Sequence, residues 1–153
     1  MRAPVSVVMV VRNAAPVLPF QLDALGEGLA EGLIRELILV DQGSTDATLE
    51  IAEAAGAVIL PGPARRAEAL ARGLAEASGE WLLVPAPASI PAPGWTTLLL
   101  RHLERSGGQP GRIPARPLRS GLGAWLRQGR AWRLLPQGAQ AATAAPRSGA
   151  KRR

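Results

Sequence analysis

Residues 34–46 read I-R-E-L-I-L-V-D-Q-G-S-T-D, and no other stretch constrains the fold so closely. An apolar run, residues 37–40, stops at an acid, Asp41. A Gly-Ser-Thr-Asp turn follows, and a helical pattern opens at Ala47. Four to eight apolar residues bounded by turn signals read as a buried strand. Ser44 or Thr45 suits the N-cap of the helix behind, and Asp46 suits its positive end. The pattern is strand, tight turn, helix, with Asp41 where the strand's carboxyl end meets the turn. In an open parallel sheet that edge is where ligands bind. Capping the turn is the plainer role open to Asp41.

The alternation recurs along the chain. Residues 5–11 are an apolar, β-branched stretch without polar alternation, which suits a strand covered on both faces. Arg12-Asn13-Ala14-Ala15 turns the chain, and Pro16 can open a helix. Leu18, Leu22, Leu25 and Leu29 form a helical stripe that Gly32 ends. Residues 47–55 form a short helix with Leu49, Ile51 and Ala52 inward, stopped by Gly56. A third strand at 57–60 meets the break Pro61-Gly62-Pro63. A third helix at 64–77, a fourth strand at 80–84 and a fourth helix at 95–105 complete the series. Arg65 and Arg66 at the start of the third helix would favour an anion, or simply be solvated. The whole predicts a three-layer α/β domain over residues 1–106 with an open, mainly parallel sheet.

These residues carry a resemblance. The Asp41 stretch resembles the D-D-G-S-T-D signature of family 2 glycosyltransferases, which have the nucleotide-sugar-binding GT-A fold. Asn13 matches the Asn of the family's P-T-Y-N-E, while Arg12 and Ala14 differ from its Tyr and Glu. Ala69, Gly73, Ala77 and Gly79 keep the spacing of G-x-x-x-A-x-N-x-G-x-x-x-A-x-G, with Ala71 where Asn is usual. Small residues on one helix face allow close approach to the sheet. Residues 79–84, G-E-W-L-L-V, resemble the lead-in to the family's metal motif, L-D-A-D-D. This chain continues Pro85-Ala86-Pro87-Ala88-Ser89, and the spacing to Gly94-Trp95 fits without a gap. Both carboxylates of D-x-D therefore fall on Ala86 and Ala88.

The resemblance implies transfer of a sugar from a nucleotide-diphosphate donor to an acceptor. It implies that Asp41 touches the base or ribose, with Asn13 and Asp46 shaping that pocket. Arg65 and Arg66 could stand in for the metal's positive charge on the diphosphate. The family would use Mg²⁺ or Mn²⁺, which are held by oxygens. An alanine methyl offers no lone pair, and Ser89 offers one neutral ligand, so no metal cofactor is expected. Inverting members use an Asp or Glu beyond the metal motif as general base. Here the only acid after Glu80 is Glu104, and no catalytic residue is assigned. The expectation is a weak or inactive transferase, with a non-catalytic nucleotide- or partner-binding domain, or a truncated product, as the alternative.

The net charge of +6 hides an asymmetry. Residues 1–105 hold 8 basic and 12 acidic residues, a balance of −4, and residues 106–153 hold 10 basic and no acidic ones, +10. Residues 106–111 read as a linker and 113–115 as one short strand. Leu118, Leu122, Trp125 and Trp132 recur at helical spacing beside Arg119, Arg127, Arg130 and Arg133. Within this basic amphipathic segment, residues 107–135, residues 117–135 predict a last helix, lying on the sheet or on an acidic membrane surface. Nucleic acid is not expected, because no aromatic stacking pattern or known module is present. Residues 136–153 read as a disordered basic tail. No cysteine occurs, which suits a cytoplasmic setting, with the inner face of the membrane as the alternative. No segment is long and apolar enough to span a bilayer. His102, the lone histidine, reads as a surface or core residue.

Overall fold

The apolar stretch at the start forms the central strand β1 (Val5–Val11), buried along its whole length. The computed structural model describes residues 2–118 and 131–139. After β1 come α1 (Leu18–Ala30), β2 (Ile34–Asp41), α2 (Thr48–Ala54), β3 (Val58–Pro61), α3 (Arg66–Glu76) and β4 (Trp81–Val84). Then follow β5 (Ser89–Pro91), α4 (Trp95–Arg105), β6 (Gly111–Pro117) and β7 (Ala131–Pro136). These strands form a seven-stranded sheet in the order β3-β2-β1-β4-β7-β6-β5.

The sheet has two halves. The neighbours β3, β2, β1 and β4 run parallel, as β-α-β connections require. Beyond β4, strands β7, β6 and β5 are each joined antiparallel. The expected three-layer α/β architecture is therefore present, and its parallel sheet is extended by an antiparallel half. One face carries Leu18 and Leu25 of α1, Ala52 of α2, and Trp95 and Leu99 of α4, packed with Val7, Leu39 and Leu83. The other carries Ala69 and Leu74 of α3, packed with Val8, Ile38, Val40 and Leu82.

Small residues bring α3 onto the sheet, as its sequence predicts. Ala69, Gly73 and Ala77 are all buried. A Cβ on Gly73 would lie 2.6 Å from a Val8 methyl and 2.8 Å from a Val40 methyl. On α1 the buried line is Leu18, Gln21, Leu25 and Gly28, not the expected leucines throughout. Leu29 is exposed. The helix leans on its Gly28 side, where a Cβ would come 2.8 Å from both Ile34 and Trp95.

The last helix expected within 107–135 is contradicted at its end. Residues 131–136 are strand β7, paired with β4 on one side and β6 on the other. Trp132 and Leu134 alternate inward onto the α1–α4 face, with Leu135 packing on the other. A period of two suits a strand. Trp132, placed in the apolar stripe of that helix, is fully buried as part of a strand. Residues 119–130, including Leu122, Trp125 and the arginines among them, lie outside the described residues, as does the tail from 140. The short strand expected at 113–115 is the middle of the longer β6. Among the described residues no helix is long and apolar enough to cross a membrane.

Candidate functional site: the carboxyl edge of the parallel strands

Three loops leave the carboxyl ends of β1, β2 and β3, and hydrogen bonds join them. Val11 and Asp41 are register partners at the ends of β1 and β2. The Asp41 carboxylate turns back on its own loop. It accepts from the Gly43 and Ser44 N–H groups, each at 3.2 Å, and from the Ser44 hydroxyl at 2.5 Å. Gly43 has φ of +87°, a conformation open to glycine at no steric cost. The turn-capping role foreseen for Asp41 is thus real, and it fixes the half-buried carboxylate at the sheet edge.

Asn13 crosses from the β1 loop. Its Oδ1 accepts from the Thr45 N–H at 2.8 Å, and its own N–H donates to Ser44 Oγ at 2.9 Å. Asn13 has φ of +48°, a region that Asn tolerates better than most residues. Asp46 accepts from the Ala15 N–H at 3.2 Å and from the Thr48 N–H at 3.0 Å, and it also takes the Thr48 hydroxyl. The Thr48 hydroxyl in turn accepts from the Ala14 N–H at 2.9 Å. The hydrogen bond from the Thr48 hydroxyl is the main cause holding the Asp46 carboxyl below its usual range. Neither Ser44 nor Thr45 caps α2, because their hydroxyls face Asp41 and Asn13. The capping position is held by Ala47, and Asp46, just before it, accepts from the N–H of Thr48 at the start of the helix.

The two arginines part company. Arg66 reaches in and donates to the Val10 carbonyl at 3.3 Å, beside the end of β1. Arg65 is mostly exposed and pairs with Glu68 at 3.3 Å, one turn along its own helix. Of the expected pair, only Arg66 is anchored to the edge that holds Asp41.

The loop after β4 is closed by structural hydrogen bonds. Ser89 is fully buried; its hydroxyl donates to the Ala86 carbonyl at 2.7 Å and accepts from Trp132 Nε1 at 2.9 Å. Gln21 Nε2 donates to the Ser89 carbonyl at 3.0 Å and the Ala86 carbonyl at 3.3 Å. The Leu118 N–H donates to the Ala88 carbonyl at 2.9 Å. A divalent cation of the Mg²⁺ or Mn²⁺ kind needs carboxylate oxygens here, and Ala86 and Ala88 present methyl groups. Ser89, offered as a neutral ligand, is occupied by Trp132 and Ala86. The donor set does not fit the metal, and among the described residues no group of three His, Asp or Glu side chains could hold one. His102 lies away from this edge, its ring edge-on to Trp81 and its Nε2 2.7 Å from the Gln109 carbonyl oxygen.

Two residues of this region carried weaker signals. Gln21 is a polar residue between Leu18 and Leu25 on a buried helix face, which marks a side chain with a partner to satisfy. Gln42 departs from the second Asp of the D-D-G-S-T-D signature. Its Nε2 donates to the Pro63 and Ala64 carbonyls at 3.0 and 2.9 Å.

The pattern of glycosyl transferase family 2 matches residues 6–133, from β1 into β7. The chain belongs to that family. Glucosyl-3-phosphoglycerate synthase from Mycobacterium tuberculosis, solved with Mn²⁺, UDP and glucosyl-3-phosphoglycerate, is 32% identical with a TM-score of 0.58. That comparison covers 69% of this chain and 42% of the synthase chain. The same synthase with Mn²⁺, UDP-glucose and phosphoglyceric acid gives 32% identity and a TM-score of 0.59, over 69% of this chain and 41% of that one. This family 2 chain thus spans about two-fifths of the length of the solved structures it matches. No curated protein matches it.

Proposed function

We propose that this family 2 domain is a nucleotide-binding domain that takes a nucleoside diphosphate, or the diphosphate part of a nucleotide sugar, without a divalent metal. The reading rests on the charges at one sheet edge. Asp41 is held rigidly at the end of β2, Arg66 is anchored at the end of β1, and the loop after β4 offers no carboxylate. Asp41 can accept from a base N–H or ribose hydroxyl, while Arg66 gives the diphosphate positive charge. Binding of UDP and UDP-glucose by the synthase supports a uridine nucleotide as the first ligand to try. Transfer by this chain alone is disfavoured, because no acid follows Glu104 to act as general base.

Calorimetric titration with UDP, GDP and dTDP, with and without Mn²⁺, tests the proposal. Binding that is equal in both buffers and lost in Asp41→Ala is expected. Binding only with Mn²⁺, or sugar transfer by the purified chain, would overturn it.

A further inference from the structure

Gln42 does what the aspartate of the signature cannot. Its Nε2 donates to two backbone carbonyls, those of Pro63 and Ala64, at 3.0 and 2.9 Å. An ionised aspartate only accepts hydrogen bonds and would face those oxygens with like charge. The segment so held has few donors of its own. Pro61 and Pro63 carry no N–H, and the Gly62 N–H is used by the Asp41 carbonyl at 2.8 Å. Gln42 is itself fixed, since its N–H donates to the Val11 carbonyl at 2.9 Å. One residue therefore staples the ends of β1 and β2 to the loop after β3. That loop leads directly into Arg66, whose guanidinium reaches Val10. Val10 is level with Val40, the residue before Asp41. The Gln42 amide thus sets where the arginine of α3 stands relative to the carboxylate of β2.

We infer that Gln42 is a positioning residue, which holds the loop after β3 so that Arg66 meets the diphosphate of a bound nucleoside diphosphate. The inference rests on the nucleotide-binding reading above and deepens it. Asp41 is assigned to the nucleoside, and the Gln42–Arg66 pair to the phosphates.

The test uses the full chain in metal-free buffer. Gln42→Met keeps the length and neutrality of the side chain and removes the donor; Gln42→Asn, which keeps the amide on a shorter arm, serves if the first fails to fold. Titrations with UDP and with uridine are run beside amide hydrogen exchange of residues 62–69 in the ligand-free chain. Exchange there should quicken in the variant. UDP affinity should fall about tenfold, with uridine affinity unchanged. Arg66→Ala should lower UDP affinity in the same way, and the double variant should lose little more. Unchanged exchange, or equal weakening of UDP and uridine, would overturn the positioning role. If the unaltered chain binds neither ligand while exchange still quickens, the nucleotide reading and the diphosphate role fail together and the loop-holding role stands.

Discussion

The indole N–H of Trp132 donates to the Ser89 hydroxyl at 2.9 Å, tying β7 to the loop that follows β4. The two residues are 43 apart in sequence, and both are fully buried. The hydroxyl passes the contact on to the Ala86 carbonyl at 2.7 Å. Gln21 of α1 grips the same loop from the helix side through the Ala86 and Ser89 carbonyls. The loop after β4 is therefore, in this chain, a structural joint between the parallel and antiparallel halves of the sheet.

Ser89→Ala should cost about 1–3 kcal/mol, because it leaves a buried indole N–H without its partner. Trp132→Ala should cost about 3–5 kcal/mol through the cavity it opens. Urea denaturation of both variants checks the order. Equal stability of Ser89→Ala and the unaltered chain would show that the joint does not bear on stability.

The double substitution at 86 and 88 should be accommodated, because the joint uses the backbone carbonyls of Ala86 and Ala88, and the half-buried Ala86 methyl is the one core contact it gives up. Ala88 has φ of +49°, which disfavours alanine and is better tolerated by aspartate. The double variant Ala86→Asp/Ala88→Asp should fold and gain Mn²⁺-dependent UDP binding, read by calorimetry. Ala88→Gly should add up to about 1 kcal/mol of stability by relieving the same conformation. A double variant that folds but takes up no Mn²⁺ would refute the placing of the metal motif on this loop.

Gly26 and Gly73 should respond oppositely to alanine. Both sit inside helices, where alanine gains about 1 kcal/mol in propensity. A Cβ at Gly26 meets nothing within 4 Å, whereas one at Gly73 meets Val8 and Val40 at 2.6 and 2.8 Å. Gly26→Ala should raise the unfolding free energy by up to about 1 kcal/mol, and Gly73→Ala should lower it by about 1–2 kcal/mol as overpacking wins. Thermal unfolding of the pair decides the matter.

Glu36 should make the fold sensitive to acid. Burial raises its pKa, but the Ser6 hydroxyl, the Ser78 N–H and hydroxyl, and the charge of Arg35 outweigh burial and leave it below its usual value. Asp46 is lowered as well, chiefly by the Thr48 hydroxyl. A lowered folded value means that the native state favours the ionised form. The stabilisation is therefore full above the unfolded values, near pH 4. It is lost as pH falls through the folded ones. Glu36→Gln should be less stable at pH 7 and show a shallower loss on acidification. An unchanged acid limb in denaturation curves at pH 3–7 would count against this role.

Much of the parallel half is legible in the residues. Leu37 to Asp41 announce a strand by an apolar run that ends in a turn, and Ala69, Gly73 and Ala77 announce the close-packed face of α3. Each signal is local, lying within one element and its flanks. The Asp41 turn was readable for the same reason, because its partners Gly43 and Ser44 lie two and three residues on. The bond of Asn13 to Thr45 has no such local signal, since the two residues are 32 apart.

The sequence by itself determined the β-α-β series, the place of Asp41 at a strand end and the lack of carboxylates at positions 86 and 88, because periodicity, turn chemistry and side-chain chemistry are properties of neighbouring residues. Tertiary structure decided that β7 enters the sheet between β4 and β6, that the Ser89 hydroxyl serves Trp132, and that Arg66 bonds to the Val10 carbonyl while Arg65 pairs with Glu68. Strand pairing and buried hydrogen bonds are contacts between distant segments. A short stretch such as Ala131–Pro136 carries too few residues to reveal its period until a partner strand buries one side of it.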